Sequence, residues 1–284
     1  KMKNLLKVLI AIVISGLCVY LLLIPDNGLS KSTEQLRITC TTTLIESVVK
    51  EIGQNRVSVT TIVPSGMCPG HFDISPGEIE RIKKSDFFLA HGFERFVEGL
   101  IKSEKDKIQV IKIGIRENWM IPGVQIRAVN KITGIMCHQC PALESFFRNN
   151  ARQYTQYILK VEREIVSRLG AFDPHNASVL CSFMNAGFVK WMRLNIIATF
   201  PRDENISVKC LSQIIIKAKK EGVRFVIDNL QSSGKVGKTL ATELDVPLVM
   251  ISNFPQRENK SLSYIKTLKK NFGKIILTLK DKCH

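Results

Sequence analysis

Along the first half of this chain, segments with the alternating hydrophobic pattern of β-strands take turns with segments that have the hydrophobic spacing of α-helices. Leu36–Thr43 and Val57–Val63 alternate apolar with polar residues, which predicts half-buried strands. Leu44–Ile52 lies between them with apolar residues at helical spacing, and Gly53 ends this helix. Further helices are predicted at Ser75–Lys84 and Phe96–Lys102, and further strands at Asp86–Ala90 and Ile108–Ile113. Short connections between alternating strands and helices predict parallel pairing in a doubly wound α/β lobe.

The same alternation returns in the second half of the chain. Strands are predicted at Ser178–Phe183, Asn195–Phe200, Val223–Ile227 and Pro247–Ser252, and helices at Met184–Met192, Ser207–Glu221, Lys235–Leu244 and Ser263–Asn271. Between the two halves, Gly123–Met136 and Glu144–Leu169 have helical periodicity, and the second of these is long and amphipathic. The prediction is therefore an α/β fold of two doubly wound lobes, residues 36–140 and 176–284.

The N-terminal region has the pattern of a membrane anchor or a signal segment, which we assign to residues 1–30. Val8–Ile24 carries no charge and follows Lys1, Lys3 and Lys7. As a helix this run would be about 25 Å long, just short of the hydrocarbon layer of roughly 30 Å. The basic residues before it predict that the rest of the chain is exported, either tethered to the membrane or secreted after cleavage. The long apolar run favours an uncleaved anchor, and Leu17 directly before Cys18 argues against lipidation.

Composition and charge narrow the class of partner. The formal net charge is +16, but basic residues are scattered, with short runs such as Lys217–Lys220 and Lys266–Lys270. No basic ribbon interleaved with aromatic residues is present, so no nucleic-acid partner is expected. A solvated basic surface is the simplest interpretation, and attraction to an anionic membrane also fits the charge. We expect a monomer.

Candidate metal-binding chemistry follows two of the predicted strands. Cys68 and His71 lie on a loop rich in proline and glycine directly after Val57–Val63, and His91 and Glu94 follow Asp86–Ala90. Ligands bind at the carboxyl ends of strands in such lobes, so these four side chains are expected to converge. A thiolate and imidazoles are good donors to zinc or a similar transition metal. The plainer interpretation is a half-buried thiol and a surface histidine.

A second cysteine pair, Cys137 and Cys140, has the C-x-x-C spacing. This spacing is typical of a redox dithiol or of half a zinc site. The predicted helix precedes this pair, whereas a redox dithiol normally begins a helix, and the sequence contains no second pair of this spacing. Structural or incidental thiols are therefore favoured, with an auxiliary metal site and a disulfide left open. The sequence also contains no Walker loop and no G-x-S-x-G motif, so no enzyme activity is predicted.

The order of these motifs resembles the substrate-binding proteins of zinc and manganese ABC importers. The matching features are V-P-x-G from Val63, the histidine at His71, the pattern x-P-x-x-I-x-x-I-x-x-x-D ending at Asp86, and H-G-F-E at His91. The resemblance runs from about Arg37 to about Gly273. It implies a ligand site in the cleft between the lobes, one long linker helix within residues 141–172, and delivery of a captured metal to an ABC permease.

The resemblance also implies ligand positions, several of which carry unusual residues here. His71 matches the first metal-binding histidine. Glu117, near the matching Trp119, takes the place of the second histidine, while Asn185 and Asn253 take the third and fourth positions.

The two asparagines remove negative charge, so we predict a softer site displaced towards three residues, Cys68, His71 and His91. Glu94 and Asp228 are expected to support the ligands from behind. Zinc is the first expectation for the cargo, manganese and copper are the alternative metals, and a non-metal ligand such as a small chelate stays open. Two other functions stay open: an exported thiol-disulfide protein using Cys137 and Cys140, and a surface adhesion protein with a degenerate site.

Overall fold

The structure is a computed structural model that describes residues 35–104, 107–258 and 261–280. The predicted anchor or signal segment, residues 1–30, lies outside these ranges. Among the residues that are described, no helix combines the length and apolar character that a membrane crossing requires.

The first lobe is built on a four-stranded parallel sheet in the order β2-β1-β3-β4. Its strands are β1 (Leu36–Cys40), β2 (Val57–Thr61), β3 (Phe87–Ala90) and β4 (Val110–Lys112), and the helices between them are α1 (Thr43–Gly53), α2 (Pro76–Lys83) and α3 (Arg95–Ser103). Side-chain caps fix where two helices begin: Thr42 accepts from the Ile45 amide, and Ser75 forms a capping box with Glu78.

The second lobe repeats this strand order as β6-β5-β7-β8, again fully parallel. Its strands are β5 (Ser178–Ser182), β6 (Asn195–Phe200), β7 (Phe225–Asn229) and β8 (Leu248–Ile251), and its helices are α6 (Ala186–Trp191), α7 (Val208–Lys220), α8 (Lys235–Leu244) and α9 (Tyr264–Lys280). The two parallel α/β lobes confirm the predicted fold class. The structure adds a short antiparallel hairpin, β9 (Arg257–Glu258) and β10 (Ser261–Leu262), which the sequence analysis did not predict.

Two helices lie between the lobes in sequence, α4 (Pro122–Gln139) and α5 (Glu144–Leu169). The 26-residue helix α5 confirms the predicted long helix. Its buried stripe has the spacing expected of an amphipathic helix and consists of Phe147, Ala151, Tyr154, Ile158, Val161, Ile165 and Leu169. Through this stripe α5 packs against α1 and α4 on one side and against α9 of the second lobe on the other. The hydrophobic cluster around it contains residues of both lobes, for example Ile38 and Ile227. The exact lobe boundaries given above stay a prediction.

The last helix is longer than predicted. α9 was expected to end at Asn271, but it continues to Lys280. Ile275, Ile276 and Leu279 extend its buried apolar stripe beyond Gly273, so packing outweighs the low helix propensity of the glycine. At its other end, the Tyr264 hydroxyl donates to the Met120 carbonyl oxygen at 3.1 Å, which joins this helix to the first lobe.

Candidate functional site

A cleft of about 350 Å³ lies between the two lobes, at the carboxyl ends of both sheets. Residues that follow β2, β3 and β4 face residues that follow β5, β6, β7 and β8 across it. Five of the predicted ligand positions lie on its wall: Cys68, His71, His91, Glu117 and Asn253. Asn185, Glu94 and Asp228 do not line it. This location agrees with the general rule that ligands bind where parallel strands end.

The loop that carries Cys68 and His71 reaches across to the second lobe. Pro69–His71 forms one 3-10 turn, and the His71 amide donates to the Cys68 carbonyl oxygen at 3.1 Å. The His71 side chain is 43% exposed, and its Nδ1 lies 3.7 Å from Oε1 of Glu204 in the second lobe. One short turn therefore brings both Cys68 and His71 to the lining of the cleft.

His91 lies deeper and is 3% exposed. Its Nε2 forms a 2.9 Å hydrogen bond with the Thr42 hydroxyl, while Nδ1 is buried without a partner among the described residues. The ring stacks on Phe93 and packs edge-on against Trp119. Burial lowers the pKa of His91 to about 4, against a smaller opposing effect of Glu94. The imidazole is therefore neutral near pH 7, which is the form that binds metals.

Glu94 was predicted to support the ligands, and in the structure its carboxylate braces the backbone of the His91 loop. Its carboxylate accepts hydrogen bonds from the amides of His91, Gly92 and Phe93 at 2.7–3.0 Å. Gly92 has a φ of 99°, a conformation that residues with a side chain rarely adopt, and this turn directs the amides at the carboxylate. The carboxylate is 2% exposed, so it is a fixed part of the His91 loop.

An amide network joins the two lobes at the cleft. The Asn118 side-chain amide donates to Asn253 Oδ1 at 2.8 Å and to the Met184 carbonyl oxygen at 3.0 Å. Asn253 in turn donates to the Met184 carbonyl at 3.3 Å and, from its backbone, to Gln231 Oε1 at 3.0 Å. The Asn253 oxygen is thus engaged between the lobes. Glu117 lies beside this network and is ion-paired with Arg127.

Two predicted positions lie behind the wall of the cleft. Asn185 is fully buried, and both polar atoms of its side chain lack a hydrogen-bond partner among the described residues. The 3-10 turn Phe183–Asn185 directs Asn185 inwards and leaves Phe183 and Met184 exposed. Asp228 is buried at the end of β7 and accepts from the Asn229 amide at 2.6 Å. Burial raises the pKa of Asp228.

Sequence reasoning missed three arginines that line the cleft, Arg95, Arg116 and Arg202. Each follows a strand by a few residues: Arg95 comes after β3, Arg116 after β4 and Arg202 after β6. The rule that led to Cys68 and His91 applies equally to them, so strand-end position was the available signal.

The predicted metal-binding side chains line or adjoin the cleft, but they do not form a complete coordination sphere. Across residues 35–104, 107–258 and 261–280, no group of three or more His, Cys, Asp and Glu side chains is placed to hold a metal ion. A tetrahedral zinc site requires four donors. The described lining of the cleft therefore offers an incomplete set, in which Cys68 and His71 are less buried than His91.

The C-x-x-C pair has features that oppose a redox role. Cys137 lies in the last turn of α4 and Cys140 caps it, and both are free thiols. Burial raises the pKa of Cys137. The negative end of the helix dipole also disfavours a thiolate here.

Comparison with known proteins gives one family and several relatives. Residues 38–276 match the family described as ZnuA, zinc-uptake complex component A, periplasmic. The manganese-binding lipoprotein MntA of Bacillus subtilis (strain 168) is 24% identical over 185 residues, which are 57% of this chain and 58% of MntA. The manganese ABC transporter substrate-binding lipoprotein PsaA of Streptococcus mitis is 18% identical over 86% of this chain and 89% of PsaA. The match thus spans little more than half the length of MntA.

Solved structures resemble the fold. A cadmium-bound periplasmic metal-binding protein from candidatus Liberibacter asiaticus superposes with a TM-score of 0.75 at 17% identity, over 86% of this chain and all (100%) of that one. A crystal structure of ZnuA gives 0.74 at 18% identity, over 86% and 99% of the two chains. At such low identity these likenesses show that the architecture is shared.

Proposed function

The chain belongs to the ZnuA family of periplasmic zinc-uptake components, and we propose that it captures a transition metal outside the cytoplasm and delivers it to an ABC permease. The observation that carries this proposal is that Cys68, His71 and His91 all line a cleft between two lobes. Their thiol and imidazole groups are donors of the kind that zinc prefers.

Zinc is the proposed cargo, ahead of copper and manganese. MntA and PsaA are named for manganese. Manganese prefers carboxylate and other oxygen donors. In this cleft the carboxylate on the wall, Glu117, is already paired with Arg127, whereas sulfur and nitrogen donors are accessible at Cys68 and His71. The donor chemistry therefore favours a softer metal than manganese.

The proposed role is binding and delivery without catalysis. We place the protein outside the cytoplasm as a monomer, held at the membrane by residues 1–30 or released by cleavage there. A permease would recognise the loaded form and remove the metal. The cleft contains exposed apolar side chains such as Phe93 and Met184 beside its polar wall, so the mouth is accessible from solution.

Elemental mass spectrometry of the purified chain tests this proposal. The protein is prepared under reducing conditions and then exposed to zinc, manganese or copper(I), each with and without citrate. The unchanged protein should hold a stoichiometric transition metal, and the double variant Cys68→Ser/His71→Ala should lose it. A matched control, Cys210→Ser/His175→Ala, removes the same residue types outside the cleft and should bind normally. Absence of metal under every condition would contradict the proposal and favour a degenerate site.

A further inference from the structure

We propose that the cleft takes its metal as an anionic carboxylate complex, with arginines holding the carboxylates and the Cys68–His71 loop facing the metal. This inference rests on the proposed function and specifies the chemical form of the cargo. Its basis is the charge, the free donors and the size of the cleft.

The charged residues that line the cleft are mostly cationic. Arg95, Arg116 and Arg202 face it, and Glu117 is the one carboxylate among the described lining residues. Glu117 is itself paired with Arg127, and Arg202 is paired with Glu204. Arg95 and Arg116 therefore supply the unpaired charge among the described lining residues. These exposed positive charges disfavour a bare divalent cation, by an amount that water and salt reduce. A complex with net negative charge would be attracted.

The guanidinium groups have donors available for such a ligand. Arg95 and Arg116 are exposed and form no ion pair within 4.0 Å among the described residues. Arg202 uses Nε to bind Glu204 at 2.9 Å, but its Nη1 is buried and has no partner in the described part of the chain. Buried guanidinium donors are normally satisfied, so Arg202 has hydrogen-bonding capacity that the described residues leave unused. Arginine matches carboxylates through paired hydrogen bonds.

The dimensions of the cleft also suit a small molecule better than a bare ion. Its volume of about 350 Å³ falls in the usual range for small-molecule sites, roughly 300–1,000 Å³. A zinc ion with donors at roughly 2.0–2.3 Å requires no such space. Aromatic side chains, Phe93, Trp119 and Phe254, line part of the wall and would cover the apolar part of a ligand.

The incomplete donor set leads to the same conclusion. The described residues bring together fewer than three His, Cys, Asp and Glu donors at any point where a metal could be held. Carboxylate oxygens of the bound molecule would occupy the coordination positions that the protein leaves open. The thiol of Cys68 and the imidazole of His71 then contribute the remaining contacts.

Equilibrium dialysis of the full chain tests this inference with zinc chloride alone, radiolabelled citrate alone, and both together. Zinc is measured by elemental mass spectrometry and citrate by scintillation counting. The key variant is Arg95→Gln/Arg116→Gln, which breaks no ion pair of the described structure. Its matched control is Arg152→Gln/Arg163→Gln, which removes the same charge from the exposed face of α5. Arg202→Lys is a second variant that keeps the charge and removes the forked geometry.

We expect zinc and citrate to be retained together in equal amounts, and citrate to be lost when zinc is omitted. Retention should fall roughly tenfold or more in the Arg95/Arg116 variant and also fall in Arg202→Lys. The α5 control should match the unchanged protein.

Three results would overturn the inference, and they are distinguishable. Zinc retained equally well without citrate, and unaffected by the arginine changes, would show that a bare ion binds and would leave the proposed function intact. Citrate retained equally well without zinc would show a simple anion site. Zinc retained in neither arm would overturn the proposed function and this inference together.

Discussion

The guanidinium of Arg257 lies 2.5 Å from the carboxylate of Glu46, and this pair joins the second lobe to helix α1 of the first. Glu46 is 1% exposed at its side chain, and it also accepts from the Thr61 hydroxyl at 2.5 Å and pairs with Lys50 at 2.7 Å. One buried carboxylate therefore connects three parts of the molecule.

Replacement of Glu46 by glutamine should destabilise the protein by about 1–2 kcal/mol, because Lys50 and Arg257 lose their counter-charge but are themselves nearly half exposed. Burial raises the pKa of Glu46, but hydrogen bonds from Lys50, Thr61 and Arg257 together lower it by more. The net shift of the pKa is therefore downward. Because its pKa is lowered on folding, this stabilisation is present above the unfolded pKa and is lost as pH falls through the folded value. Urea denaturation at several pH values measures both effects. Glu243→Gln, an exposed change on α8, is the control.

His91 should make the metal-free protein less stable in acid. Its pKa of about 4 lies below the ordinary value, so the unfolded chain binds a proton that the folded chain does not. Stability should therefore fall as pH drops from about 6.5 towards 4, by roughly 3 kcal/mol in total. His91→Gln should flatten that part of the pH profile, and the exposed His138→Gln should leave it unchanged. An unaltered profile in His91→Gln would contradict the assignment.

Two glycine-to-alanine changes should have opposite effects on stability. An added Cβ at Gly237 would lie 2.8 Å from the Cβ of buried Asp228, so Gly237→Ala should cost about 1–3 kcal/mol. At Gly134, within α4, an added Cβ meets no atom within 4 Å. Gly134→Ala should stabilise the protein by roughly 0.5–1 kcal/mol through helix propensity. Thermal unfolding of the two variants checks the sign of each effect.

Cys137 should react slowly with iodoacetamide near neutral pH. Burial raises its pKa and the thiolate is the reactive form, so modification should become fast in alkaline solution. Cys68 and Cys210 are less buried and serve as internal references in the same peptide mass spectra. Rapid labelling of Cys137 at pH 7 would instead favour the thiol-disulfide function.

Sequence patterns predicted the architecture because strand and helix periods were clear and the connections short. Cys68 and His91 could be placed at one edge because parallel strands end together. Other features depend on contacts that no local pattern contains. The role of Glu94 depends on how the backbone turns at Gly92, and the burial of Asn185 depends on a single 3-10 turn. Arg116 and Arg202 also follow strands, but a search for metal-binding side chains does not identify arginine.

Helix α5 contacts α1 and α4 on one side and α9 of the second lobe on the other, and this has a mechanical consequence. A stiff strut that is anchored at both ends resists bending, so loading the cleft should change the radius of gyration very little. Small-angle scattering should then give superimposable curves for the empty and loaded protein. Under the proposed function, a permease would then have to recognise the loops at the mouth of the cleft, because loading would not change the dimensions of the protein.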